Sequence, residues 1–147
     1  EEVEMASLIN TFKSEHAKII AMFNEVKELG VLSKEGQARL MSIKEHLLAH
    51  LKKEDVVFYP VLYKEAEYSE RLKSTLDLFA LDMEKVSSVV QEFFKKYSEG
   101  AFDEELPAVF ERLLEAFKER AKNEEDALYE EYDKIMEVYT VPGYRMA

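Results

Sequence analysis

The stretch from His46 to Pro60 reads HLLAHLKKEDVVFYP, and its reading decides the fold. It lies in a run whose apolar residues Leu40, Ile43, Leu47, Leu51, Phe58, Val61 and Leu62 recur at three- and four-residue steps, the period of an amphipathic helix. His50 and Glu54 fall inside that apolar stripe, four residues and about 40° apart on one helix face. Bare burial of an imidazole and a carboxylate is unfavourable, so this pair needs either polar partners or a bound cation. The rest of the chain is expected to supply them.

Working outward, three more amphipathic runs separate cleanly. The first spans about Val3 to Leu29, with a stripe of Met5, Leu8, Ile9, Phe12, His16, Ile19, Ile20, Phe23 and Val26. Gly30 ends it, and Ser33 is a natural N-cap after the short connection to Gly36. The second, about Gln37 to Glu67, holds the opening stretch, with Pro60 expected to kink or break its hydrogen-bond ladder. The third, about Glu70 to Ser98, starts at an N-cap on Ser69 and carries Leu72, Leu76, Phe79, Met83, Val86, Val90, Phe93 or Phe94, and Tyr97. Gly100 stops it. Phe102 and Asp103 lead into the fourth, about Glu104 to Val138, where Pro107 is tolerated in the first turn. Its stripe is Leu106, Val109 or Phe110, Leu113, Phe117, Arg120 or Ala121, Glu124, Leu128, Tyr132 and Ile135. The segment Val141-Pro142-Gly143-Tyr144 cannot continue a helix. Long amphipathic helices with short links predict an all-α, up-down-up-down antiparallel four-helix bundle over residues 1–138, followed by a C-terminal tail at 139–147.

In such a bundle helix midpoints share a layer. His16, the pair His50 and Glu54, Met83, and the pair Arg120 and Glu124 all sit near the middle of their helices, so the polar interruptions of separate stripes converge. An internal echo supports this. HLKKEDVVFYP (His50 to Pro60) aligns with RAKNEEDALYE (Arg120 to Glu130), matching Glu54 with Glu124 and Tyr59 with Tyr129, and EHAKI (Glu15 to Ile19) aligns with DMEKV (Asp82 to Val86), matching His16 with Met83. A two-helix unit is doubled, which gives the layer a pseudo-twofold.

Composition narrows the function classes. The 147 residues are 47% hydrophobic and 35% charged with 4 Gly and 3 Pro, a profile of one domain built from long helices. A net charge of -11 argues against nucleic acid and anionic lipid as partners. No apolar run approaches the roughly 18 residues of a membrane span, and no secretory signal is visible. The absence of cysteine excludes disulfides, Cys-based zinc sites and thiol catalysis, and fits a reducing compartment, so a cytoplasmic location is expected. The sequence opens EEVEM, without an initiator Met, and is read as trimmed, tagged or cut from a longer chain. It holds no glycine-rich phosphate loop and no Ser or Cys beside a His in a nucleophile pattern.

Two imidazoles and two carboxylates in one buried layer form a reasonable set of ligands for a divalent metal, and they also resemble the di-iron carboxylate bundles. On the EH of the first helix, the HLKKED and FYP of the second, and the EE and LY of the fourth, the chain closely resembles the hemerythrin-like family, the HHE cation-binding domains. In these domains a His from each of helices one and three, with His-x-x-x-Glu from helices two and four, binds a di-iron centre. The resemblance implies His16, His50, Glu54 and Glu124 as metal ligands, the glutamates as bridges. It also implies oxygen, nitric-oxide or iron handling, or signalling.

Two positions depart from the family pattern. Met83 and Arg120 stand where the remaining histidines belong. A guanidinium stays charged and pairs with carboxylates rather than ligating iron. Arg120 is therefore expected to take the place of the second cation by neutralising Glu54 or Glu124, and Met83 to fill core space. The centre then keeps one non-haem ion, Fe or Zn, or keeps none and persists as a His-Glu-Arg network. His46 is read as a flank residue, Tyr59, Tyr63 and Tyr129 as donors to the layer or edge residues, and the runs Lys52-Lys53 and Glu124-Glu125-Asp126 as solvated faces with Glu124 the exception. The expected role is metal, oxygen or redox sensing or storage, with a metal ion and dioxygen or another small diatomic as ligands, and not an enzyme. The rival from another class is a metal-free bundle serving as a structural or protein-interaction module, either as a homo-oligomer or with a protein partner. Catalysis comes third, because it needs an open metal position.

Overall fold

A computed structural model describes residues 2–97 and 103–139, with side chains described for 8–97 and 103–138. Four rods pack antiparallel, as the period-3.6 stripes require. The first is α1 (Glu2–Leu29) and the third is α4 (Glu70–Tyr97). The second is built of α2 (Lys34–Lys53), a π-helical segment at Glu54–Phe58, and α3 (Tyr59–Ala66). The fourth repeats that plan with α5 (Leu106–Asn123), a π segment at Glu124–Leu128, and α6 (Tyr129–Tyr139). α1 lies along α2 and against α5, while α4 lies along α5 and against α3.

The local stops follow the sequence logic. Gly30 takes φ +91°, a left-handed conformation that ends α1 at little cost only for glycine. The Ser33 hydroxyl accepts from the Gly36 amide at 2.9 Å and caps α2, which begins three residues earlier than the stripe alone suggests. A Cβ at Gly36 would run into the Gly30 carbonyl oxygen, so this tight entry admits no larger residue. The Ser69 hydroxyl accepts from the Leu72 amide at 3.2 Å and caps α4. α5 begins at Leu106 with Pro107 in its first turn, two residues later than expected. Met5, Ser98, Gly100, Phe102 and the segment from Val141 to Tyr144 lie outside the described side chains or residues.

Pro60 is not the break in the second rod. The ladder widens one turn earlier, where the Tyr59 amide donates to the Glu54 carbonyl, and Pro60 then sits in the first turn of α3, where an amide is dispensable. The fourth rod widens at the corresponding place, with the Tyr129 amide on the Glu124 carbonyl, and has Glu130 where the second has proline. The π turn therefore belongs to the repeated unit. Each one starts on the glutamate of the polar layer.

That layer divides the interior in two. On one side Ile19, Phe23, Leu47, Val90, Phe110 and Phe117 belong to one apolar cluster. On the other, Ile9, Phe12, Phe58, Leu62, Leu76, Leu128 and Tyr129 belong to a second. Met83 is half-buried against the second cluster, in keeping with its expected packing role.

Candidate metal centre

The five buried polar or charged side chains among the described residues are His16, His50, Glu54, Arg120 and Glu124, and they meet in this layer. α1 supplies His16, α2 supplies His50, and α5 supplies Arg120. The two glutamates come from the first positions of the π segments. The extra residue in each wide turn breaks the regular ladder where the carboxylates of the layer leave the backbone, a placement common for π turns at functional sites.

One nitrogen of each imidazole and one oxygen of each carboxylate converge, so that the four chosen atoms all lie within 4.8 Å of one another. His16 Nε2 is 3.2 Å from Glu124 Oε1 and 3.9 Å from Glu54 Oε2, and His50 Nε2 is 3.3 Å from Glu54 Oε2. His50 Nε2, Glu54 Oε2 and Glu124 Oε1 are buried without a hydrogen bond. Orphaned buried donors and acceptors are rare because each carries a desolvation penalty. Here three of them face the same small space, and all are metal-ligating atoms. The residues present fit one ion.

The other oxygens of the same carboxylates face Arg120. Its Nη2 donates to Glu54 Oε1 at 3.1 Å and its Nε to Glu124 Oε2 at 3.2 Å, while the Tyr59 hydroxyl donates to Glu124 Oε2 at 2.6 Å. The expected pairing of Arg120 with one glutamate or the other falls short of the arrangement, because the guanidinium bonds both. Each carboxylate thus bridges between the space bounded by the histidines and a guanidinium.

The far side of each histidine is also held. His50 Nδ1 lies 2.7 Å from Glu15 Oε1, whose other oxygen accepts from Lys53 Nζ at 2.8 Å, and His16 Nδ1 lies 2.8 Å from Glu125 Oε2. A carboxylate on Nδ1 orients each ring so that Nε2 points into the layer, the arrangement usual behind metal-bound histidines. Glu125 and Lys53 therefore reach the layer from charge runs that are otherwise mostly solvated, as expected. Both remain partly exposed, as does Glu15, and reach inward from the rim. Glu15 falls outside the apolar stripe that singles out His16, although its place in the shared layer is a usable signal. Its partner is His50, across the interface between α1 and α2. His46 is exposed and lies outside the cluster, as a flank residue should. Tyr129 enters the layer with its hydroxyl 3.2 Å from His16 Nε2.

Electrostatics follow from this packing. Burial alone would lower the His16 pKa, but Glu124, Glu54 and Glu125 raise it to about 10. Burial would raise the Glu54 carboxyl, yet His16 and His50 hold it well below the usual carboxylate range. Glu124 is raised by its burial and by the neighbouring Glu54 charge, against the pull of His16 and Arg120. Phe12 packs edge-on to His50 with centroids 5.5 Å apart, and Phe117 edge-on to His16 at 5.7 Å, so apolar rings close the layer above and below.

Among the described residues no helix is long and apolar enough to cross a membrane. A family model described as the Hemerythrin HHE cation binding domain matches residues 7–132. No curated protein and no solved structure matches the chain.

Proposed function

The chain belongs to the hemerythrin HHE cation-binding domain family, and we propose that it holds one non-haem metal ion on His16, His50, Glu54 and Glu124, for sensing or storage rather than catalysis. The observation that carries this reading is the convergence of three orphaned ligand atoms on one side of carboxylates whose opposite side is filled by Arg120. Two imidazoles with two carboxylates suit Fe(II) and also Zn(II), and we favour iron on the family's account. Iron bound here supplies a redox-active centre able to take a small diatomic such as dioxygen.

The chain's own residues do the rest. Glu15 and Glu125 orient the imidazoles, and Arg120 compensates one of the two carboxylate charges in place of a second ion. Phe12 and Phe117 exclude water. His16 would ligate as the neutral ring, so an ion taken up here would displace any proton that its carboxylate neighbours hold on it.

The metal-free reading also has an observation in its favour. A protonated His16, 3.2 Å from Glu124 Oε1, balances with Arg120 the two carboxylate charges. A His-Glu-Arg network so balanced would suit a bundle whose role is to bind another protein.

Elemental analysis of protein purified without chelators separates the two. About one Fe or Zn per chain, lost in His50→Ala, is the expected result. Two ions per chain would overturn the single-ion reading, and none after reconstitution would leave the metal-free bundle.

A further inference from the structure

We propose that Tyr129 is a fifth protein donor to the ion, a phenolate that suits the site to ferric iron. The inference rests on the single-ion reading above and extends its ligand set beyond imidazole and carboxylate. Two donors at right angles about one ion, each about 2.1 Å from it, stand about 3.0 Å apart, and at a tetrahedral angle about 3.4 Å. The separations of 3.2 Å between His16 Nε2 and Glu124 Oε1 and 3.3 Å between His50 Nε2 and Glu54 Oε2 fall in that range. So does the 3.2 Å between His16 Nε2 and the Tyr129 hydroxyl. The phenol thus stands at a ligand-to-ligand separation from His16 Nε2.

Its surroundings leave it little else to do. Tyr129 is 2% exposed, and its ring lies nearly parallel to His16, with an interplanar angle of 14°, held by Phe12 and Phe58. The hydrogen-bond partner of its hydroxyl is His16 Nε2, at 3.2 Å. An ion on Nε2 takes that partner away, and a buried hydroxyl left without one is in an unfavourable state unless it turns to the ion itself. On ligation the O–H bond breaks, a metal–oxygen bond forms, and the proton leaves to solvent.

The repeat supplies an internal control. Tyr59, the counterpart of Tyr129, donates at 2.6 Å to Glu124 Oε2, on the side held by Arg120. Tyr59 thus serves a carboxylate on the Arg120 side, whereas Tyr129 reaches a histidine nitrogen of the other half.

The test is to load the apoprotein with ferric iron, measure iron per chain, and record visible absorption and resonance Raman spectra of wild type, Tyr129→Phe and Tyr59→Phe. A phenolate-to-iron charge-transfer band with tyrosine ring modes is expected in wild type and in Tyr59→Phe, and should vanish in Tyr129→Phe. Iron bound at about one per chain without that band, or a band that survives in a folded Tyr129→Phe, overturns the phenolate ligand and leaves the single-ion reading intact. Failure to bind ferric iron overturns the phenolate ligand, and the single-ion reading then stands or falls with the Fe or Zn content found by elemental analysis. Circular dichroism of each variant confirms the fold, and if Tyr129→Phe is unfolded, tyrosine modes present in both wild type and Tyr59→Phe support the ligand, while their absence from iron-loaded wild type overturns it.

Discussion

The two halves of the polar layer are built from one repeated unit and present different groups to the same carboxylates. On one side His16 and His50 present Nε2 atoms to Glu54 and Glu124, with Glu125 and Glu15 behind them. On the other, Arg120 and Met83 take the corresponding places, and the guanidinium spans both carboxylates. The counterparts of the supporting acids persist there. Asp55 lines a cavity of about 380 Å³ together with Met83 and Arg120, and Asp82 shares a second cavity lining with the same two residues. The comparison teaches that a shared carboxylate pair can be met differently on its two faces, by a permanent guanidinium on one and by a pair of imidazoles on the other.

The comparison breaks most readily at Arg120, which is 6% exposed. Removing one partner of a buried ion pair leaves an uncompensated charge and typically costs about 3–5 kcal/mol. Arg120→Met should therefore lower the unfolding free energy of the metal-free protein by about that amount, read from urea denaturation. A loss under about 1 kcal/mol, the scale of a solvated surface pair, would mean that Arg120 is not the counter-cation of the layer.

A second experiment asks whether the halves are interchangeable. With Met83→His and Arg120→His together, the eroded half regains two imidazoles facing Glu54 Oε1 and Glu124 Oε2, with Asp55 and Asp82 already nearby. The expected outcome is a rise from about one to two ions per chain on reconstitution, with stability lost in the metal-free variant recovered on loading. A folded double variant that still binds one ion would show that more than these two side chains separates the halves.

Much of this asymmetry is legible in the order of residues alone. The apolar stripes locate the rods, Gly30, Ser33 and Ser69 mark their ends, and the helix midpoints bring His16, His50, Glu54, Arg120 and Glu124 into one layer. Pro60 misdirects the reading of the second rod. A π turn adds a single residue, and steps of three and four absorb it without a visible fault in the pattern. Its trace lies in adjacent buried pairs, Phe58 with Tyr59 and Leu128 with Tyr129, placed just after each glutamate. Glu15, Lys53 and Glu125 are hidden for another reason. They stand partly in solvent, so their charge looks ordinary along the sequence, and only the packing of α1 against the second and fourth rods turns them inward.

These outer acids give the smallest and most discriminating effect. Glu15 accepts from His50 Nδ1 at 2.7 Å, whereas its counterpart Asp82 faces a half with no imidazole to orient. A carboxylate behind a metal-bound histidine raises ligand basicity and fixes the ring, and its loss commonly weakens metal binding about 10- to 100-fold. Glu15→Gln keeps the shape and removes the charge, so it should weaken affinity within that range without changing the number of ions bound. Asp82→Asn should leave the affinity of the native site unchanged. The order of effects reverses in the Met83→His, Arg120→His background, where Asp82 gains a histidine to support, provided affinity is measured at the second ion. Equal losses from Glu15→Gln and Asp82→Asn in the native protein would reduce both acids to a general contribution of negative charge, and the difference between the halves would then rest on the buried residues alone.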